Sequence, residues 1–118
     1  MKTLLLFVLL SFTFGFVAQA QTKIDLTGTW IVDVQTDMGS GNPTFVLKQE
    51  GEKITGTYTG SLGDSQVTGT LKGNVLHLEF SIQGNLITYD GTAAANTISG
   101  KVNLADMASG TFSGKRKS

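Results

Sequence analysis

The sequence contains no cysteine, and among its 118 residues there is one proline, one histidine and one tryptophan. Without thiols there is no disulfide framework, no thiolate metal site and no thiol nucleophile, so core packing and backbone hydrogen bonding must hold the fold. Charge is also scarce: charged residues make up 15%, and nine Lys+Arg balance nine Asp+Glu to a formal net charge of zero. That balance supplies neither the basic footprint a nucleic-acid backbone requires nor a polybasic or acidic binding surface, so no nucleic-acid partner is expected. The length suits one modest domain and leaves no room for two.

What is present first is an address. Met1, Lys2 and Thr3 form a short basic start, 4–18 is almost uninterrupted apolar sequence, and Ala18, Gln19 and Ala20 form an A-x-A site. This is the layout of a secretory signal peptide, with cleavage expected after Ala20. The apolar run is shorter than the roughly 20 residues a bilayer span needs, and no cationic stop-transfer cluster follows it. No cysteine stands near the cleavage site to carry a lipid. The expected product is therefore a single domain, 21–118, secreted or periplasmic, with no stable membrane insertion after cleavage. Nothing in the sequence fixes its oligomeric state.

From Gly28 onward apolar residues recur at every second position in short runs bounded by Gly, Asn, Asp and Ser, the period of strands and not of helices. Eight strands are predicted: 28–36, 44–50, 53–59, 65–72, 74–82, 85–92, 97–103 and 109–115. The connections are too short for parallel crossovers, so consecutive strands should pair antiparallel as a meander. The fold class expected is all-β, an eight-stranded up-and-down barrel, with a two-sheet sandwich as the alternative.

Alternation assigns inward residues to three levels, with the start of the first strand at the bottom. The bottom level holds Trp30, Gln49, Ile54, Leu71, Leu76, Gly91, Ile98 and Phe112, and the top level Val34, Phe45, Tyr58, Val67, Phe80, Ile87, Val102 and Ala108. Between them lie Val32, Leu47, Gly56, Gly69, Leu78, Tyr89, Gly100 and Gly110. Half of these middle positions lack a side chain, which points either to a narrow cavity at the waist or to bends where a small barrel curves tightly. Both readings stay open, because an eight-stranded barrel is just wide enough to be packed with its own side chains or to hold one small ligand. Longer top connections, 37–43, 60–64 and 104–108, against short bottom ones suggest a mouth at the top.

Leu26-Thr27-Gly28-Thr29-Trp30 at the start of the first strand resembles the Gly-x-Trp opening of the calycin barrels, which include lipocalins, fatty-acid-binding proteins and the avidin/streptavidin family. Ile54-Thr55-Gly56-Thr57-Tyr58-Thr59-Gly60 is similar to the third strand of streptavidin-type barrels. The resemblance covers about a third of the mature chain; it implies a barrel whose Trp30 closes the bottom and whose interior takes small, mainly apolar molecules. Biotin chemistry does not carry over. Where the avidin-like pattern has a ligand-binding Asn two positions after the Trp this chain has Val32, and where it has Ser two positions after the Tyr this chain has Gly60; Tyr58 alone matches.

Catalytic and metal-binding patterns are sparse. His77 lies between Leu76 and Leu78 and shares an outer face with Glu79, which reads as a solvated strand residue; two ligands without a third are a weak metal site. No G-x-S-x-G elbow accompanies it, and Asp33, Glu50, Glu52, Glu79 and Asp90 fall on outward positions or turns. Met38-Gly39-Ser40-Gly41-Asn42 is glycine-rich but lacks a following helix, so it reads as a flexible loop. Asp37, Asp64 and Asp106 fall at the same barrel end, with no EF-hand spacing to support calcium. Lys115, Arg116 and Lys117 read as a basic cap that either touches an acidic surface or, the favoured reading, keeps a sheet edge from pairing with another chain.

The expected function is the binding of a small apolar or amphipathic molecule entering between the top loops. Phe45, Tyr58, Phe80 and Tyr89 would line the upper cavity, joined by Val34, Val32, Leu47 and Leu78, and the two Tyr hydroxyls would orient the ligand. The alternative is a side-chain-filled barrel acting as a structural or protein-interaction module through its outer Thr/Ser-rich faces. No catalytic residue, metal ligand or cofactor is expected.

Overall fold

A computed structural model describes residues 24–117, and the leading segment read as a signal peptide lies outside them. Nine strands form: β1 (Gly28–Thr36), β2 (Gly39–Gly41), β3 (Thr44–Glu50), β4 (Lys53–Gly60), β5 (Gly63–Lys72), β6 (Val75–Ile82), β7 (Asn85–Ala93), β8 (Thr97–Leu104) and β9 (Ala108–Arg116). Every neighbouring pair is antiparallel, and β1 also pairs with β9 from Trp30↔Arg116 to Thr36↔Gly110, which closes the sheet. The fold is thus all-β, a closed antiparallel eight-stranded up-and-down barrel. The eight strands expected from alternation all form, each within two residues of its expected bounds.

The ninth, β2, was not expected. β2 and β3 continue one another in a single register along β1, Val34↔Gly41 above and Ile31↔Thr44 below. Pro43 breaks the ladder between them because it has no N–H to donate, although its carbonyl still accepts from the Val32 amide at 3.0 Å. The expected loop 37–43 is therefore a hairpin whose turn is Asp37-Met38 alone. The other top turns are equally tight, Ser61-Leu62, Gln83-Gly84 and Ala105-Asp106-Met107, so the expected difference in loop length between the two ends is absent.

The three flat levels also need correction. Followed from Glu50 through Lys53, Thr70, His77, Asp90, Lys101, Thr111 and Gln35, the hydrogen-bonded path reaches the β2/β3 strand again at Ser40, ten residues from its start. A stagger of that size tilts the strands by about 40° to the barrel axis. Hydrogen-bonded rows therefore climb the wall instead of circling it. Trp30 and Phe45, assigned to opposite ends, are direct cross-strand partners, and so are Val34 and Phe112.

Inward and outward faces fall as alternation requires. Among the described residues twenty hydrophobic side chains are buried and no polar or charged one is, and Trp30, Val32, Phe45, Ile54, Leu76 and Leu78 have no exposed surface. The middle glycines are close-approach positions. A methyl group at Gly56 would overlap the Val46 carbonyl oxygen of β3, and one at Gly110 the Gln35 carbonyl oxygen of β1. Missing side chains at these points let neighbouring strands press together and coil.

Candidate functional site

The bottom of the barrel is sealed by side chains from both ends of the described chain. Trp30, fully buried, donates its indole N–H to the Leu26 carbonyl at 2.9 Å. The Arg116 guanidinium lies 4.6 Å from the Trp30 ring centroid. It also donates to the carbonyls of Thr27 (2.8 Å), Asp25 (2.7 Å) and Ala95 (2.8 Å). Gln49 completes the seal: its side-chain oxygen accepts from the Leu26 amide at 2.8 Å, and its amide nitrogen donates to the carbonyls of Ile24 (3.2 Å) and Gly51 (3.0 Å). The basic cap read from the sequence is thus corrected for Arg116. With the barrel closed there is no edge to protect, and the residue locks β9 to the segment before β1.

The interior above this plug is aromatic. Phe45 meets Tyr58, Phe80 and Tyr89 edge-on, with ring centroids 5.4, 5.9 and 5.2 Å apart. Tyr58 and Phe80 stack at 4.4 Å, and Tyr89 bridges Phe80 (5.8 Å) to Phe112 (5.0 Å). All eight residues expected to line the cavity, Val32, Val34, Phe45, Leu47, Tyr58, Leu78, Phe80 and Tyr89, face this interior and belong to one core. Phe112 joins the aromatic cluster, although flat levels placed it at the bottom; its pairing with Val34 explains why.

Two hydroxyls stand in this apolar surrounding. Burial raises the Tyr58 phenol pKa, while the Leu62 backbone beside it pulls the other way, and the ring directs its oxygen toward Gly60 at the β4–β5 turn. Tyr89 is 2% exposed, and burial, with Tyr58 nearby, pushes its phenol far above the ordinary value. Among the described residues its hydroxyl has no hydrogen-bond partner, yet no side-chain oxygen or nitrogen is both sealed from solvent and unbonded. The small accessible surface of Tyr89 therefore includes its hydroxyl. Both phenols stay protonated at neutral pH and offer one donor and one acceptor each.

The top rim carries exposed apolar side chains at or beside all four turns: Met38, Leu62, Leu86 and Met107. Asp37, Asp64 and Asp106 share that end, but no group of three or more metal-ligating side chains is assembled among the described residues. A separate outer depression of about 290 Å³ crosses β7, β8 and β9, lined by Thr88, Asp90, Lys101, Asn103, Ser109 and Thr111.

His77 is not simply solvated. Its Nδ1 lies 2.6 Å from Asp90 Oδ1 and its Nε2 2.8 Å from Glu79 Oε1, so the two carboxylates hold opposite sides of the ring and share no point where a metal would sit. Asp90 was missed as a partner, although the two-residue turn Gln83-Gly84 sets it directly opposite His77.

No family model matches the sequence, and no curated protein matches it. Solved structures match the fold. A redesigned β-barrel, mFAP0, bound to DFHBI is similar with a TM-score of 0.58 at 18% identity, over 77% of this chain and 98% of that one. A de novo designed fluorescence-activating β-barrel matches with a TM-score of 0.59 at 13% identity, over 78% and 94% of the two chains. A second redesigned barrel bound to DFHBI, mFAP1, gives 0.57 at 16% identity over the same shares.

Proposed function

We propose that the protein is a calycin-like binding barrel, secreted or periplasmic after loss of its first twenty residues, that takes a small apolar or amphipathic molecule into its upper interior. The observation that carries this reading is the Tyr89 hydroxyl, which stands in an aromatic interior without a hydrogen-bond partner among the described residues. A hydroxyl so placed leaves one donor and one acceptor free for a ligand's polar group. Designed barrels of the same architecture that hold DFHBI support the reading by showing that this fold accommodates a small molecule. No catalytic role is proposed, because the one histidine is engaged on the outer wall, away from the interior.

Native mass spectrometry of the mature protein, purified gently from its own cells and compared before and after unfolding, tests the proposal. A reproducible excess mass lost on unfolding is expected, together with weaker ligand retention in Phe80→Ala. A second reading, a filled barrel that recognises partners on its outer wall, draws on the ring contacts of 4.4–5.9 Å and on the polar depression across β7–β9. A bare mass, with no thermal shift across fatty acids, sterols and biotin, would favour that reading.

A further inference from the structure

The near-zero net charge conceals a segregation. Within the segments around the four top turns, 35–42, 59–65, 81–86 and 103–109, the charged residues are Asp37, Asp64 and Asp106, with no lysine or arginine. The bottom end reverses the balance: Lys48, Lys53, Lys72, Lys115, Arg116 and Lys117 outnumber Asp25, Glu50 and Glu52. The end at which Tyr58 directs its oxygen is therefore purely acidic. Among the described residues no charged side chain is buried between the rim and the plug.

We infer that the preferred ligand is an amphipathic cation: an apolar body seated in the barrel and an ammonium or similar positive group held near the top. This rests on the interior-binding reading above and specifies its chemistry. Two features converge on a positive head group. The Tyr89 hydroxyl, on a side chain 2% exposed and without a hydrogen-bond partner among the described residues, accepts a hydrogen bond from an N–H donor and lies within electrostatic reach of the Tyr58 phenol. The three rim carboxylates attract the cation and repel an anion of the same shape, while Met38, Leu62 and Met107 cover its aliphatic part. An anionic amphiphile finds no basic partner at this end.

The test is a titration of the mature protein with decylammonium, decanol and decanoate, three probes of one length and different charge, at about pH 7. Summed over three exposed carboxylates at screened distances, decylammonium should bind roughly fivefold more tightly than decanol, and decanoate should bind more weakly than either. The difference should shrink in about 0.5 M salt. In the combined variant Asp37→Asn, Asp64→Asn, Asp106→Asn the amine and the alcohol should bind alike; asparagine keeps the side-chain carbonyl that accepts from Ser109 N–H and suits the positive φ at position 106. Equal affinity for all three probes, or tighter binding of decanoate, overturns the inference while leaving interior binding intact. If none of the three binds, both the inference and the interior-binding reading fail.

Discussion

The two ends of the barrel have turns of the same length but are built differently. At the bottom, Trp30, Arg116 and Gln49 spend their polar atoms on backbone carbonyls and amides of Ile24, Asp25, Leu26, Thr27 and Ala95, so the end is both plugged and internally bonded. At the top, apolar tips face solvent, and the Tyr89 hydroxyl beneath them has no hydrogen-bond partner among the described residues. Stability is concentrated where the chain enters and leaves the barrel. The recognition proposed above sits at the opposite end, where side chains remain uncommitted.

The contrast can be broken most forcefully at Trp30. Trp30→Ala removes a fully buried ring, an indole hydrogen bond and the surface on which Arg116 rests, and should destabilise by about 3–5 kcal/mol in chemical denaturation. A loss below about 1 kcal/mol would mean that the bottom is not the stabilising end. Next comes Arg116→Met, which keeps much of the apolar stem but gives up the charged hydrogen bonds to three carbonyls, with an expected loss of about 2 kcal/mol. At the top the expected sign reverses. Ala105 has φ of 52°, and Ala105→Gly should stabilise by up to about 1 kcal/mol by relieving a left-handed residue in the β8–β9 turn.

The smallest effect belongs to the wall between the ends. The Glu79 and Asp90 bonds raise the His77 pKa above its ordinary 6.5. The folded state therefore binds the proton more tightly than the unfolded one, and the added stability is complete below pH 6.5 and lost as pH rises through the raised value. The cluster is one-third or more exposed, so the change should be slight. Melting curves of wild type and His77→Gln on either side of that window should converge at the alkaline side; a gap that widens there would contradict the assignment.

Strand positions and facing were legible because period-two alternation survives in every run, and Trp30 was legible as the bottom plug through its Gly-x-Trp setting. Register was not. Sliding a strand by two residues keeps every side chain on its face, so alternation alone cannot distinguish a flat stack from a stagger of ten. The pairings of Trp30 with Phe45 and of Val34 with Phe112 follow from that hidden stagger. β2 escaped notice because Gly39-Ser40-Gly41 carries no apolar pattern and Pro43 resembles the end of a loop. The glycines were visible as strand interruptions, but whether they vacate space or permit contact depends on the neighbouring carbonyls. At the candidate site, burial of the eight lining residues was legible, whereas the pairing of His77 with Asp90 required combining a two-residue turn with cross-strand counting.

The seam between β1 and β9 also sets an order of events for the newborn chain. Its bonds join residues as far apart as Asp25 and Arg116, so they carry the largest loop-closure entropy in the molecule and form slowly. Until the final strand has been synthesised, the sheet is an open ribbon with two unsatisfied edges, and each edge is a template for another chain. A translation product that stops before Ala108 would therefore be a sticky intermediate as well as an incomplete protein, and the last nine-residue strand removes that hazard when it docks.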